Sequence, residues 1–332
     1  MENYKSNYSR KLLDLNLLTD KQFDRIEAYR KRDVFSVHSE LRTLLYIGVL
    51  LFTTGIGMLI YDHIDSIGHV TVLGLLLVVT ALCFYFSFKK SPKFSRAETT
   101  FENPVYDYIV LGGVSLSCIF IGYLQFQYET FGTHYGLATI IPTVICFATA
   151  YYFDNKSVLS IGITGLAAYV GLTTSPQALL RNNIYDNTIL SYSAILLGIL
   201  LAVWTLYASK VALKKHFNFV YLTFALHLIS LAVLSNLFQE DGLWYIIPLM
   251  LSSWFFYKAS YQNTSITLFV CTVLYAYIGF TVFAVRVIDS SDILDDVFEG
   301  LLTISPIYFI GLIVLFIKLI KNFNKKTADV RL

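Results

Sequence analysis

Long apolar stretches alternate with short polar segments from residue 41 to residue 320. A hydrocarbon core about 30 Å thick takes roughly 20 helical residues to cross, and ten stretches approach or reach that length. Their apolar side chains occupy every face, which predicts membrane helices and not sheet strands. We therefore predict an all-α polytopic membrane protein of about ten transmembrane helices, at 41–61, 70–88, 106–127, 135–153, 157–174, 188–208, 217–238, 242–258, 264–285 and 298–320.

Composition and charge support this prediction and orient the chain. Hydrophobic residues make up 56% and charged residues 14% of the 332 residues, which is too apolar for a soluble globular protein. With ten spans and a cytoplasmic N-terminus, 23 of the 25 Lys and Arg residues fall on the inner side, and only Arg181 and Arg286 face outward. Both termini are therefore predicted to be cytoplasmic. Because the basic residues are dispersed by topology, nucleic-acid binding is not expected.

Three parts are predicted along the chain. Residues 1–40 form a cytoplasmic helical hairpin, whose second helix starts at a capping-box pattern made by Thr19 and Gln22. Residues 41–322 form the transmembrane domain, and residues 323–332 form a basic cytoplasmic tail. The cations of the hairpin either only meet anionic membrane lipids or also dock a cytoplasmic protein partner, and both interpretations stay open.

Similar segments recur at similar spacing in two parts of the transmembrane domain. In both parts a Phe-Gln segment at the end of a span is followed by Ile-Ile-Pro, by three aromatic residues and by a Tyr two residues before a Gly. Spans 3–6 and 7–10 are therefore predicted to be parallel copies of a four-span unit, with the first two spans as an N-terminal hairpin of spans. The matched segments are 126–129, 140–142, 151–153 and 169–171 in the first copy, and 238–240, 246–248, 255–257 and 277–279 in the second.

Three predicted spans carry a proline near their outer start: Pro142, Pro248 and Pro306. A proline removes one helical hydrogen bond and frees the carbonyl four residues earlier. A free carbonyl is costly against lipid, so these turns should face protein or a water-filled cavity. The prolines either kink the helices for packing or line an outward-facing cavity between the repeats.

Few polar side chains are placed to contact a ligand. No Asp, Glu, Lys or Arg lies near the middle of a predicted span, which argues against an ion-coupled transporter. His227 is central in the seventh span and is either a hydrogen-bonded packing residue or a ligand contact. The other candidates at the outer side are Gln125, Glu129 and Glu240.

The outer loops hold the candidates for a metal site, because imidazole and carboxylate groups can ligate a divalent cation. They are His63, His69, His134 and Asp62, and their spacing matches no metal signature. The four cysteines stand singly in four spans, and phosphate-binding glycine patterns and nucleophile motifs are absent. We predict no cofactor and no catalytic residue.

Small residues concentrate in the fifth span, where Ala167 and Gly171 form a step that permits close approach between helices. This step belongs either in the centre of the protein or at the seam of a homodimer.

The N-terminal region resembles a known family of membrane proteins. The resemblance is carried by Leu12-Leu13, Leu17-Leu18-Thr19, Gln22 and Ile26, by the Gly-rich stretch from Leu44 to Gly57, and by Tyr61-Asp62-His63. In these features the chain is similar to the bacterial family called domain of unknown function 2157, mainly over the N-terminal hairpin and the first two spans. The resemblance implies a bacterial inner-membrane location and a multi-span fold, and it implies no activity.

Three classes of function stay open. The first is a small-molecule or lipid permease or channel-like protein, for which the uncharged core suits a neutral, amphipathic or cationic solute. The second is a membrane scaffold or sensor that couples the spans to a cytoplasmic partner through the N-terminal hairpin. The third is an intramembrane enzyme, which no residue pattern favours.

Overall fold

The structure, a computed structural model, describes Leu13 and residues 19–30, 38–132, 135–174, 188–239, 242–289 and 294–330. The first helix of the predicted N-terminal hairpin, apart from Leu13, lies outside these residues. The chain divides into two compact units, residues 1–56 and 57–332.

Eleven α-helices make up most of the described part of the chain. The first, α1, is Asp20–Arg30, and each of the other ten overlaps one predicted span. They are α2 (His38–Ile67), α3 (His69–Lys90), α4 (Val105–Tyr128), α5 (Tyr135–Phe153), α6 (Lys156–Thr174), α7 (Thr188–Val211), α8 (Asn218–Leu237), α9 (Ile246–Gln262), α10 (Ile266–Asp289) and α11 (Leu294–Val330). Short 3-10 helices at Lys215–Phe217 and Gly242–Tyr245 precede α8 and α9.

The predicted all-α, polytopic membrane fold is confirmed. Within the described residues, seven helices are long and apolar enough to cross a membrane, namely α3 to α8 and α10. The apolar segment of α2 is shorter, Thr43–Leu59, and α9 has 17 residues.

The last helix runs through the predicted boundary at residue 322 and continues to Val330. Phe323 is only 1% exposed, and its ring stacks on Phe269 of α10 with centroids 4.5 Å apart. Tyr261 of α9 lies on the same ring at 4.8 Å. The helix α11 therefore continues through residues 323–330, and Phe323 packs against α9 and α10.

In the N-terminal unit, α1 begins where the capping-box pattern predicts. Gln22 Oε1 accepts a hydrogen bond from the backbone N–H of Thr19, and the Thr19 hydroxyl donates to the same oxygen, both at 3.0 Å. The Thr19 carbonyl accepts from the N–H groups of Gln22 and Phe23. The reach of the third helical side chain back to the N-cap N–H is the feature that defines this motif.

In the unit of residues 57–332, α8 is the central helix. It contacts α6, α7, α9 and α10, and it is the most buried of the seven apolar helices. Gly198 of α7 allows a close approach to α8, because a Cβ at that position would lie 3.2 Å from the Ala225 carbonyl oxygen. A small residue at the crossing thus brings the two backbones together.

The helix contacts agree with the predicted four-span repeat, whose first copy is α4 to α7 and whose second copy is α8 to α11. In the first copy α4 contacts α5 and α6, α5 contacts α6, and α6 contacts α7. In the second copy α8 contacts α9 and α10, α9 contacts α10, and α10 contacts α11. Each contact in one copy therefore has its counterpart in the other.

The turn between the second and third helices has the same backbone in both copies. Asp154 and Thr264 are left-handed, with φ of 63° and 46°. The next residue, Asn155 or Ser265, donates its N–H to the carbonyl five residues earlier and accepts from the N–H four residues later. Its side chain then caps the following helix by accepting the N–H three residues on. This shared geometry supports the repeat independently of apolar composition.

One carboxylate, that of Asp154, joins three segments that are predicted to lie on the inner side. It accepts hydrogen bonds from the N–H and hydroxyl of Thr99, at 2.6 and 3.1 Å. Lys214 places Nζ 2.9 Å from the same oxygen, and both side chains are fully buried. His216 Nε2 contacts the other carboxylate oxygen. The α3–α4 connection, the α5–α6 turn and the α7–α8 turn therefore meet at a single buried ion pair.

Arg286, one of the two basic residues predicted to face outward, binds backbone carbonyls. Its guanidinium donates to the carbonyl oxygens of Phe238 and Gln239, immediately after α8 ends at Leu237. The last carbonyls of a helix lack intrahelical donors and carry the negative end of the helix dipole. This exception to the predicted inward placement of basic residues therefore binds the carbonyls at the C-terminal end of the central helix.

We predict that removing either partner of the Asp154–Lys214 pair destabilises the protein strongly. Asp154→Ala leaves an ammonium group buried without its counter-ion, and Lys214→Met leaves a buried carboxylate. Loss of one partner from a buried pair costs about 3–5 kcal/mol. The unfolding midpoint of the purified protein in detergent measures the effect.

Lys156 and Glu98 supply the matched control. Their ion pair is also 2.9 Å long, but the two side chains are 48% and 54% exposed. An exposed pair contributes roughly 0–1 kcal/mol, so Lys156→Met should shift the midpoint little. Equal losses for Lys156→Met and Lys214→Met would contradict the special role of the buried pair.

Candidate functional site

An open cavity of about 430 Å³ lies between α4, α5 and α6 of the first copy of the repeat, and Thr164 and Ala168 in its wall are exposed. Its volume falls in the range of small-molecule sites, roughly 300–1,000 Å³. Cys118 lines it from α4, and none of the lining residues is charged. The other lining residues are Ala138, Thr139, Pro142, Thr143 and Cys146 of α5, and Ser160, Ile161, Thr164, Gly165 and Ala168 of α6.

Pro142 shapes one wall of this cavity from within α5. It has no N–H to donate to the carbonyl of Ala138, and Ala138 lines the same cavity. The turn that the proline loosens therefore borders the cavity, where a carbonyl without a helical partner is tolerated better than against lipid.

The hydroxyl groups of the cavity wall are already committed as donors. Thr143 Oγ1 donates to the Thr139 carbonyl at 2.7 Å, and Thr164 Oγ1 donates to the Ser160 carbonyl at 2.9 Å. Ser160 likewise donates to the carbonyl four residues earlier, at 3.1 Å. Each hydroxyl still offers a lone pair as an acceptor. The wall thus combines apolar surface with a few acceptors, which suits an uncharged molecule carrying a polar group.

The residue that follows the proline differs between the copies and affects how the space is filled. In the second copy it is Leu249, which is 1% exposed and packs directly on Gly279 of α10, so that any Cβ there would overlap it. In the first copy it is Thr143, which packs on Gly165 of α6. Thr143 borders the cavity, whereas the buried Leu249 side chain lies against α10.

Two cysteines meet at the cavity although they belong to different spans. The Sγ atoms of Cys118 and Cys146 are 3.9 Å apart, and both residues line the cavity. Cys83 and Cys271 lie on α3 and α10.

His227 lies on the central helix, away from the residues that line the cavity. Its Nδ1 is 2.7 Å from the hydroxyl of Tyr275 on α10, and the two rings meet edge to face. The contact joins α8 to α10. It gives His227 the hydrogen-bonded packing partner that the first of its two predicted roles, a packing residue, requires.

Gln125 closes the loop at the end of α4. Its Nε2 donates to the Gly132 carbonyl at 2.8 Å, and its Oε1 accepts the N–H of Phe131 at 2.9 Å. Glu129 is exposed and left-handed, at φ 45°. Both residues shape the loop between α4 and α5 and do not line the cavity.

The remaining predicted residues are dispersed. Pro248 stands in the first turn of α9, where a helix has no intrahelical use for the missing N–H, so it does not loosen a turn as Pro142 does. Pro306 lies inside α11, but its side-chain environment is outside the described residues, as is Glu240. Gly171 is already buried in the protein monomer. This favours the centre of the protein over a dimer seam for the step formed by Ala167 and Gly171.

The metal candidates of the outer loops do not form a cluster in the described part of the chain, where no group of three or more His, Cys, Asp or Glu residues comes together. His69 Nδ1 is 2.5 Å from the hydroxyl of Tyr123 on α4, and Asp62 is exposed. His134 and the side chain of His63 lie outside the described residues.

Two features escaped the sequence-based prediction. Asp154 could have been noticed in the sequence, because it is an acidic residue directly after a span. The turn there is short, so its carboxylate stays close to the neighbouring segments. The Cys118–Cys146 pair had none. The two residues are 28 positions apart, and helix rotation decides whether they face each other.

Comparison with known proteins agrees with the membrane assignment. Residues 10–159 match the model of a family described as "Predicted membrane protein (DUF2157)". The match confirms the resemblance predicted for the N-terminal region and extends through α4 and α5 into α6, which includes both cysteines of the cavity. No curated protein matches the chain, and no solved structure does.

We predict that Gly165→Ala destabilises the contact between α5 and α6. The new methyl group would overlap Thr143 Oγ1, which could move only by giving up its hydrogen bond to Thr139. Overpacking of this kind costs about 1–3 kcal/mol. The unfolding midpoint should fall, and Thr143→Ala in the same chain should restore part of the loss.

Gly112→Ala on α4 is the control, because nothing lies within 4 Å of a Cβ at that position. Alanine is the better helix former by about 1 kcal/mol, so this variant should keep or raise the midpoint. If both glycine variants behave alike, the close contact at Gly165 is not present in the folded protein.

Proposed function

We propose that the protein is a permease or lipid-handling protein of the bacterial inner membrane, with both termini cytoplasmic, that binds an uncharged amphipathic molecule between α4, α5 and α6. The observation that carries this proposal is the cavity of about 430 Å³ whose lining residues are apolar or hydroxylic and carry no charge. A charged ligand would have to lose its hydration there without gaining an ion-pair partner, which is costly.

The chemistry of the wall narrows the ligand class. Apolar groups of Ala138, Ile161 and Ala168 can bury hydrocarbon, while the oxygens of Thr143 and Thr164 can accept a hydrogen bond from an alcohol or amide. A molecule with an apolar body and one donor group meets both demands. This supports a lipid-like or similar membrane-soluble ligand over a sugar or an ion.

The proposed site differs in position from the cavity expected between the repeats. It lies inside the first copy, and His227 does not line it. Binding can therefore occur within one copy, while the second copy and the buried Asp154–Lys214 pair hold the surrounding helices.

Ala168→Phe tests this proposal, because a phenyl group at that position should fill the cavity. Protein purified in mild detergent should carry a bound lipid or small molecule that mass spectrometry identifies, and Ala168→Phe should lose it. In proteoliposomes loaded with a mixture of uncharged metabolites and a neutral fluorescent lipid, the same variant should lose movement of that compound.

Ala148→Phe is the matched control, because Ala148 is exposed like Ala168 but does not line the cavity, and the substitution is identical. Size-exclusion chromatography and the unfolding midpoint show whether both variants are folded. Equal retention and equal movement by the wild type, Ala148→Phe and Ala168→Phe would overturn the proposed binding site.

A rigid scaffold or sensor is the second candidate, favoured by the convergence of three inner segments on Asp154. Such a convergence gives the inner face a fixed shape that a cytoplasmic partner could recognise. This alternative needs no cavity occupant, so it would be supported if the cavity-filling variant kept full biological activity in cells.

A further inference from the structure

The buried contact between Asp154 and Lys214 brings together two exposed basic segments that are far apart in the sequence. One is the connection between α3 and α4, and the other is the turn between α7 and α8. Thr99 of the connection and Lys214 of the turn bind the same oxygen of Asp154. The Lys214 N–H also donates to the Arg96 carbonyl at 2.8 Å. The backbones of the two segments are therefore neighbours, fixed side by side.

Four exposed cations belong to these two segments and form what we call the basic surface: Lys93, Arg96, Lys210 and Lys215. None of the four forms an ion pair with another residue that the structure describes. Residues 85–97 and 188–237 contain no Asp or Glu, so neither segment supplies an acid of its own. The positive charge of the basic surface is therefore available to an anion from outside the chain.

Two acidic groups beside these segments already bind other lysines. Asp154 is fully buried with Lys214. Glu98 is the first acid after Arg96 in the sequence, and its carboxylate lies 2.9 Å from Nζ of Lys156. Neither carboxylate is left to neutralise the four exposed cations.

Large hydrophobic side chains are exposed in the same two segments. Phe94 is 52% exposed, and its ring centroid lies 5.4 Å from Nζ of Lys214, within the range of a cation–π contact. Val211 and Phe219, on either side of the turn, are exposed as well. Because α7 and α8 are both long and apolar enough to cross a membrane, their turn lies at the level of the lipid headgroups. A ligand at this place can offer a negative headgroup and an apolar chain together.

We propose that the basic surface binds the headgroup of an anionic phospholipid, whose acyl chains lie against Phe94 and Phe219. Clusters of Lys and Arg directly beside a membrane helix attract anionic headgroups. Topology alone accounts for cations in a single inner loop. Here two distant segments are held together through Asp154, which gives the cations fixed neighbours and makes a saturable site. The exposed aromatic rings favour a lipid over a soluble anion.

This site is separate from the cavity of the proposed function. None of the four cations lines that cavity, and neither does Phe94 or Phe219. Ala168→Phe should therefore leave binding at the basic surface unchanged, so that either proposal can fail while the other stands.

The test is the binding of phosphatidylglycerol and of phosphatidylcholine, each with the same fluorescent acyl chain, to the delipidated full-length protein in a neutral detergent. Fluorescence anisotropy measures both affinities, and their difference reports the charge of the headgroup. The wild type should bind phosphatidylglycerol more tightly. Each cation contributes about fivefold, so Arg96→Gln combined with Lys215→Gln should lower that affinity about 25-fold. The affinity for phosphatidylcholine should not change.

Lys321→Gln combined with Lys325→Gln is the matched control, because both lysines are exposed on α11, on the same predicted side, and the same charge is removed. This variant should bind phosphatidylglycerol as the wild type does. Both double variants replace exposed side chains, so their unfolding midpoints should match that of the wild type.

Three results would overturn the proposal. The first is equal affinity of the wild type for the two lipids, a comparison that needs no variant to fold. The second is an equal loss of affinity in the two double variants, since the charge would then act without a site. The third is displacement of the labelled lipid by inorganic phosphate as readily as by unlabelled phosphatidylglycerol, which would assign the surface to a soluble anion.

Discussion

Hydrocarbon offers no hydrogen-bond partner, and this constraint governs where polar atoms occur throughout the described helices. Thr143 and Thr164 return their hydroxyl protons to carbonyls of their own helices. Arg286 places its guanidinium on the carbonyls that follow α8. Asp154 and Lys214 satisfy each other where neither side chain reaches water. Each of these polar groups finds its partner within the protein, so the space between the helices depends largely on how their apolar and small residues pack.

The same constraint explains how much of the fold could be predicted from the sequence. A span must be apolar over a defined length, so the ten predicted stretches overlap ten of the observed helices. Local capping is also encoded in short patterns, as Thr19 and Gln22 show. The family match over residues 10–159 agrees with a membrane protein. These features depend on neighbours in sequence.

Lateral packing depends on helix rotation and on distant residues, and there the sequence was less informative. Nothing in the spacing of Cys118 and Cys146 shows that their sulfurs meet. The equivalence of Pro142 and Pro248 was overestimated, since one lies inside α5 and the other in the first turn of α9. Of the predicted site residues, Pro142 lines the cavity, whereas His227 and Gln125 bond elsewhere. A residue type and a depth in the membrane do not determine which neighbour a side chain faces.

The contrast between Thr143 and Leu249 has a consequence for the history of the chain. After a gene is duplicated in tandem, each half inherits a workable arrangement of helices, and one intact half can sustain folding while the other accumulates changes. In one half the leucine Leu249 packs on Gly279, and in the other half the shorter Thr143 packs on Gly165 beside the cavity. If the two copies descend from one ancestral half, this asymmetry arose after the duplication, in the contact between the second and third helices of each copy.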